Sequence, residues 1–423
     1  MAHETKITPP KDFVVPGSLN TAFAAMIVVG LLSFGVGFAL DAHAAWRAYL
    51  IGFWFTLSLA LSGPFIVSTQ WLTIAGWSAT IRRVPLAYGG FLIPAAVFAI
   101  VGLIGGGALF EWYDAELVHN DHILHKKAGF LNVTTFAVFT VVTFVLWIGA
   151  AYLQRRADYA QDSEGGYALT NRLKGYSSLF LLVFVVGFSF MSWYWIMGLQ
   201  PHWFSTMFSV YAFAGLFQSG LALTILIVLW LRDRGDFGDY VGERQIHDLG
   251  QLLFAFTVFY AYIGFCQFLL IWYANIPEEA IWYVTRGTPP DIQTGWGFFS
   301  LLLPFVKFII PFFILLPQEM KKNKKNVLRY VAFWLLLMQV YEVWYWVAPV
   351  PEHGGGYATA PSLLGALLTV GVVAGFMGVF GFSVSRQLAS APLIPLKDPF
   401  LHEAVKPHHH GTMPPKPNEI VVS

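Results

Sequence analysis

Two ionisable residues sit where an isolated charge is costly. Lys307 lies within LLPFVKFIIPFF and Glu342 within LMQVYEVWYW, both apolar stretches. A charged side chain at membrane depth costs several kcal/mol, so such a residue is a functional candidate by default. The chemistry open to the two is proton binding and transfer, or an ion pair that locks helices together. At a rise of ~1.5 Å per residue, Lys307 falls ~13 Å and Glu342 ~24 Å from the same membrane face. That offset makes a direct pair strained and a relay through hydroxyls and water easier. Pro304 and Pro311 flank Lys307. Each removes a backbone donor and frees carbonyls that neighbours or water must satisfy, which permits an irregular helix.

A polar stripe runs nearby. Thr257, Tyr260, Gly264 and Gln267 recur at helical steps of three and four on one face. His247 and Asp248 stand at its head, where Asp248 also fits the role of a helix N-cap. Lys307, Glu342, His247, Asp248, Thr257, Tyr260 and Gln267 form one set of proton-conduction candidates; inter-helix hydrogen bonding is the competing reading of the stripe.

Other chemistry is restricted. One cysteine, Cys266, excludes disulfides, Cys-x-x-Cys redox pairs, thiolate zinc sites and Cys-x-x-Cys-His haem attachment within the chain. The 12 histidines fall in loops, tails or at helix ends, so no imidazole pair is expected to clamp a haem at membrane depth. His119, His122 and His125 with Asp114 and Asp121 have metal-binding spacing if helical, but read more naturally as a solvated loop. His402 and His408–His410 lack orienting neighbours. No metal and no cofactor of the chain's own is expected.

The elements that must position these residues follow from composition. The chain has 423 residues, 57% hydrophobic and 12% charged, with a mean hydropathy of +0.60 and a net charge of +1. A water-soluble domain cannot hide that apolar surface, and no global field points to nucleic acid. Ten stretches are long enough to cross ~30 Å of hydrocarbon: 19–40, 49–74, 86–109, 129–153, 176–199, 204–231, 247–274, 295–316, 326–347 and 361–386. The second holds Gly63-Pro64, a place to bend. Ala42-His43-Ala44 mimics a leader-cleavage site, but the run before it is too long for a leader, so it reads as an uncleaved span.

Nineteen Lys and Arg fall in loops on the side of the N-terminus, against four on the other: Arg47, Lys126, Lys127 and Arg286. The asymmetry places both termini in the cytoplasm. The outer side carries nine acids, among them Glu278 and Glu279 in the stretch NIPEEAIWY. Those two are the candidates for docking a partner. The Pro-containing head (1–18) and tail (389–423) read as extended, mobile cytoplasmic segments around a membrane domain at 19–388.

Phe55-x-x-x-Leu-Ala-Leu-Ser62 recurs as Phe217-x-x-x-Leu-Ala-Leu-Thr224 in two spans that run the same way. The expected fold is therefore all-α: a polytopic membrane protein with ten transmembrane helices, built as two parallel-repeat four-helix bundles (about 49–199 and 204–347) plus two peripheral helices.

The stretch HDLGQLLFAFTVFYAYIGFCQFLLIWYANIPEE, His247 to Glu279, resembles the hallmark block of ActF, a membrane subunit of bacterial alternative complex III. LQPHWFSTMFSVYAFAG (199–215) and DHILHKKAGFLN (121–132) resemble further blocks of that family. ActF is similar to the NrfD-type subunits of polysulfide-reductase-like enzymes. The resemblance implies a non-redox subunit of a quinol:cytochrome c oxidoreductase in the bacterial inner membrane. It contributes to assembly and the quinone environment, with suspected proton translocation. Menaquinone or ubiquinone is the implied lipid quinone, with haem c and iron–sulfur clusters held by partners. Those partners are a multihaem c-type subunit, an iron–sulfur subunit, a sister NrfD-type quinol-binding subunit, a monohaem cytochrome c and a terminal oxidase. Tyr194 and Gln200 stand where the family usually has acids, which puts an outer proton exit there in doubt and moves the weight to Glu342 and Lys307. The rival reading from the residues is a stand-alone secondary transporter, since parallel repeats and Pro-broken spans suit one.

Overall fold

The computed structural model of the protein describes residues 9–287, 295–322, 325–349, 351–352, 356–357 and 360–405. Asp291, His353 and His408–His410 lie outside them. Among the described residues ten helices are long and apolar enough to span a membrane: α1 Gly17–Leu40, α2 Ala42–Leu72, α3 Arg83–Ala108, α4 Val133–Ala160, α5 Tyr167–Leu199, α6 Phe208–Arg234, α7 Glu243–Ala274, α8 Gly297–Leu315, α9 Asn326–Val347 and α10 Leu363–Leu388. The chain is an all-α, multi-pass membrane protein. Beyond the helices there is a two-residue antiparallel ladder that pairs Pro351 with Tyr357 and Glu352 with Gly356.

Several helices outrun their apolar cores. α4 extends to Ala160 and α5 starts at Tyr167, so Arg155, Arg156, Arg172 and Lys174 ride on helix rather than loop. Hydropathy marks where lipid ends, whereas backbone hydrogen bonding continues into the polar layer.

α2 and α6 are buried along nearly their whole length and pack on one another. Around α2 stand α3 and α5, with α4 between them; around α6 stand α7 and α9, with α8 between them. The same neighbour pattern occurs twice. The recurring segments meet at the junction: a Cβ on Gly220 would lie 2.2 Å from Ser62 Oγ, so only glycine lets α6 approach α2 there. Tyr88 and Thr224 share a hydroxyl contact of 3.0 Å across the same seam. α1 and α10 pair outside, where a Cβ on Gly30 would come within 2.4 Å of Gly375 Cα, and α10 packs on α2.

Head and tail depart from the expected mobility within the described residues. Phe13 is buried edge-on against Trp230, and Lys11 N–H bonds Asp236 O at 2.9 Å. The tail crosses the N-terminal side of the bundles as a strap. Leu393 and Ile394 are buried, Asp398 Oδ2 accepts from Arg82 at 2.8 Å, and Gln245 at the head of α7 donates to Ala404 O at 2.8 Å. The prolines that suggested an extended chain do keep it non-helical from Ser390 to Phe400; the buried apolar pair and the Arg82 partner hold it down. Arg82 and Arg83 are therefore buried anchors rather than loop charges: Arg82 lies over Trp71, and Arg83 joins Asp158 at 2.9 Å and the Pro392 carbonyl at 2.7 Å. Breaking one partner of a buried pair costs about 3–5 kcal/mol. Asp398→Asn should thus lower the unfolding temperature of the purified chain by several degrees and expose the tail to protease, whereas an exposed change such as His402→Gln should do neither.

Candidate functional site

The centre of the second bundle holds a closed polar node. Lys307 and Glu342 form a direct ion pair and are both fully buried. Lys307 Nζ also donates to Gln339 Oε1 at 2.6 Å and sits 4.2 Å from the centroid of the Tyr260 ring. Tyr260 OH donates to the second Glu342 oxygen at 2.5 Å, and Tyr211 OH lies 3.2 Å from Tyr260 OH. Four helices contribute: α6 (Tyr211), α7 (Tyr260), α8 (Lys307) and α9 (Gln339, Glu342).

The direct pair corrects the expectation of a relay across an offset. Cα–Cβ bonds tilt toward the N-terminus of their own helix. α8 and α9 run in opposite directions, so Lys307 leans toward Glu342 while Glu342 leans back toward Lys307. The two long side chains close a gap that level arithmetic on backbones leaves open. Local backbone helps. Phe305–Ile309 forms a π-turn with Lys307 at its middle. Pro311 is the residue whose N–H would bond the Lys307 carbonyl in an α-helix, and it has none to give. A neighbour on α9 satisfies the carbonyl that the π-turn and Pro311 leave open, with Trp334 Nε1 donating to Val306 O at 2.7 Å; further along, Tyr341 OH donates to Phe299 O at 2.6 Å.

Room for the node comes from α6. A Cβ on Gly215 would lie 2.8 Å from Gln339 Oε1 and 2.9 Å from Glu342 Oε2. The register that aligns Phe55 with Phe217 sets Phe53 opposite Gly215. In the first bundle Phe53 fills that place and packs on Trp195 at 4.9 Å. One repeat is plugged by aromatic rings and the other is open to polar groups.

The remaining stripe residues share the buried face of α7 but divide. Thr257 accepts from Gln218 at 3.0 Å and donates to Leu253 O at 2.8 Å. Gln267 lies buried beside Tyr283, the polar neighbour of its amide. His247 and Asp248 stand at the N-terminal side, 3.8 Å apart, with Arg244 Nε at 3.8 Å from the carboxylate. Asp248 is not the cap: α7 begins at Glu243, and Gln245 Oε1 closes back on Gly242 N–H at 2.9 Å. The structure thus brings Lys307, Glu342 and Tyr260 together, places Thr257 on a separate pair, and leaves His247, Asp248 and Gln267 at the two ends of the stripe.

On the far side, Glu278 is exposed and Glu279 half-buried in the first turn of the Pro277–Thr285 helix, where acids also favour the helix dipole. The histidine region is two short helices rather than a loop. Asp114 caps Ala115–Asn120 and Asp121 caps His122–Lys127, so both carboxylates are committed to backbone N–H groups. Among the described residues no group of three His, Cys, Asp or Glu converges. Tyr194 donates to Phe130 O at 2.8 Å and stacks on that ring, a packing role.

Sequence reasoning missed Gln339, Tyr211 and Gly215. Gln339 sits one turn before Glu342 in LMQVYE, a usable signal. Gly215 shows only once the repeat register is extended. It also missed Arg286, read as a loop base. Arg286 is fully buried and donates to Trp282 O at 2.9 Å, Trp346 O at 2.7 Å and Gln200 Oε1 at 3.4 Å.

Comparison with known proteins finds no family and no curated protein that matches this sequence.

Two outcomes follow. Lys307→Met or Glu342→Gln alone leaves a buried group without its partner and should cost about 3–5 kcal/mol, while the double variant should recover most of that loss; thermal unfolding in detergent reads the cycle. The second concerns Asp121, which faces His202 at 2.7 Å. Partial burial opposes its ionisation, but the Leu124 and Ile123 N–H groups and His202 outweigh this and hold the carboxyl below its ordinary range. Its stabilisation is complete above the ordinary carboxylate pKa and is lost as pH falls through the depressed value. Amide exchange in 115–127 should accelerate over that acid window, and Asp121→Asn should flatten the response.

Proposed function

We propose that this chain is an integral membrane subunit of a quinol:cytochrome c oxidoreductase of the alternative complex III kind, ActF-like, with no redox centre of its own. In this reading it supports assembly and the quinone environment and carries protons through its second bundle. The N-terminal side faces the cytoplasm of a bacterial inner membrane. The far side, with Glu278 and Glu279, meets the multihaem, iron–sulfur and monohaem partners, and the sister NrfD-type subunit and terminal oxidase complete the chain of electron transfer. Menaquinone or ubiquinone is the lipid substrate of the assembly.

The observation that carries the reading is the Lys307–Glu342–Tyr260 node, two ionisable groups and a hydroxyl in mutual contact at membrane depth. Such a node holds a proton in alternative places at little rearrangement: on Lys307, on Glu342, or passed along the Tyr260–Tyr211 hydroxyls. Intramembrane Lys and Glu that pair with one another typify proton and ion pathways. The described histidines of the spans stand at helix ends, His43 in the first turn of α2 and His247 near the start of α7, a placement that favours a subunit without a haem of its own. The long hallmark block from His247 to Glu279 supplies the choice of complex.

Mild-detergent isolation of the chain from its native membrane, with a reduced-minus-oxidised spectrum of the eluate, tests this. A c-type haem band with several stoichiometric partners is expected. A colourless eluate holding this chain alone would contradict the proposal and turn attention to solute transport.

A further inference from the structure

We infer that Arg286 is a positioning residue that couples the acidic helix Pro277–Thr285 to the buried Lys307–Glu342 pair. This rests on the proposed role of that helix in docking and of the pair in proton work.

A chain of direct contacts joins the two. Trp203 Nε1 donates to the carbonyl of Glu279 at 2.9 Å. The Trp203 ring stacks on Trp282, centroids 4.3 Å apart and 22° from parallel. The Arg286 guanidinium lies on the other partner of that stack, 3.3 Å from the Trp282 ring centre. From there its planar fork reaches the end of α9, donating to Tyr345 O at 3.2 Å and Trp346 O at 2.7 Å. These are carbonyls of the last turn of α9, which have no partner within their own helix. Glu342 lies three and four residues before them, on the same helical turn. The Trp346 ring closes the circuit against Tyr211 at 5.4 Å, and Tyr211 contacts Tyr260.

Arg286 also holds α8. Its own carbonyl accepts from Ser300 Oγ at 2.5 Å, and Ser300 reaches Tyr345 OH at 3.0 Å. One buried cation thus fixes the acidic helix, the start of α8 and the end of α9. The two long helices so fixed are those that carry Lys307 and Glu342. An arginine suits the place because its donors lie in one plane, able to stack on indole and bridge two carbonyls at once; lysine offers a point charge.

Coupling between two places is reciprocal. A change at Glu342 must therefore be felt in residues 277–286, and only while Arg286 is present. The test is amide hydrogen exchange of the full-length chain in neutral-lipid nanodiscs, on Glu342→Gln in the wild-type, Arg286→Gln and Arg286→Lys backgrounds. With Arg286 intact, Glu342→Gln should accelerate exchange in 277–286 by about five-fold or more. With Arg286→Gln, that helix should exchange faster from the outset and respond no further to Glu342→Gln; Arg286→Lys should give an intermediate response. Unchanged exchange in α1 and α10 verifies the fold. An equal response in all three backgrounds, or none with Arg286 intact, overturns the inference. Because no partner protein is present, a failed isolation of the complex and a failed coupling are separate results.

Discussion

A carboxylate and an ammonium buried together in a lipid-embedded bundle constrain everything around them. Neither charge can be left alone, since desolvation of each exceeds what a lone hydrogen bond returns. Glu342 therefore uses both oxygens, on Lys307 and Tyr260, and Lys307 spends its donors on Glu342 and Gln339. The surrounding sequence follows from this requirement. Gly215 clears the space, Pro311 loosens the backbone at Lys307, and Trp334 takes up the Val306 carbonyl that the loosened backbone leaves open. A larger residue at 215 or a regular helix at 305–309 would be incompatible with the pair as it stands.

The internal repeat gives this constraint a setting. Two like groups of four helices share a seam along α2 and α6, where the paired segments come into contact through Gly220 and Ser62. The first group is filled by rings, with Phe53 on Trp195 and Trp54 on Phe188. The second carries the node. The duplicated architecture thus has unequal interiors, aromatic rings in one half and a buried ion pair in the other. The buried clamps on the N-terminal side, Arg82–Asp398 and Arg83–Asp158, lie toward the aromatic half and tie the tail across it.

Much of the fold was legible in the sequence because lipid imposes a one-dimensional rule. Length and hydropathy of each span suffice for ten helices, and a repeated octet suffices to pair their segments. What escaped was set by three-dimensional reach. Arg82 and Arg286 read as loop charges, since burial of a guanidinium depends on carbonyls and rings far away in the chain. The tail read as loose from its prolines, yet Leu393, Ile394 and Asp398 find sites that no local pattern announces. Lys307 and Glu342 were identified by residue type alone, but their direct contact depends on the tilt of side chains on antiparallel helices. Gln339 and Tyr211 gained meaning only once the pair existed.

Proton translocation by the proposed quinol:cytochrome c assembly, reconstituted in sealed vesicles, is the most direct test of the central claim. With Glu342→Gln in this chain, electron transfer should continue while the coupled proton movement is lost, because Lys307 no longer has a carboxylate with which to exchange a proton. Proton movement at the wild-type stoichiometry in that variant would contradict the account.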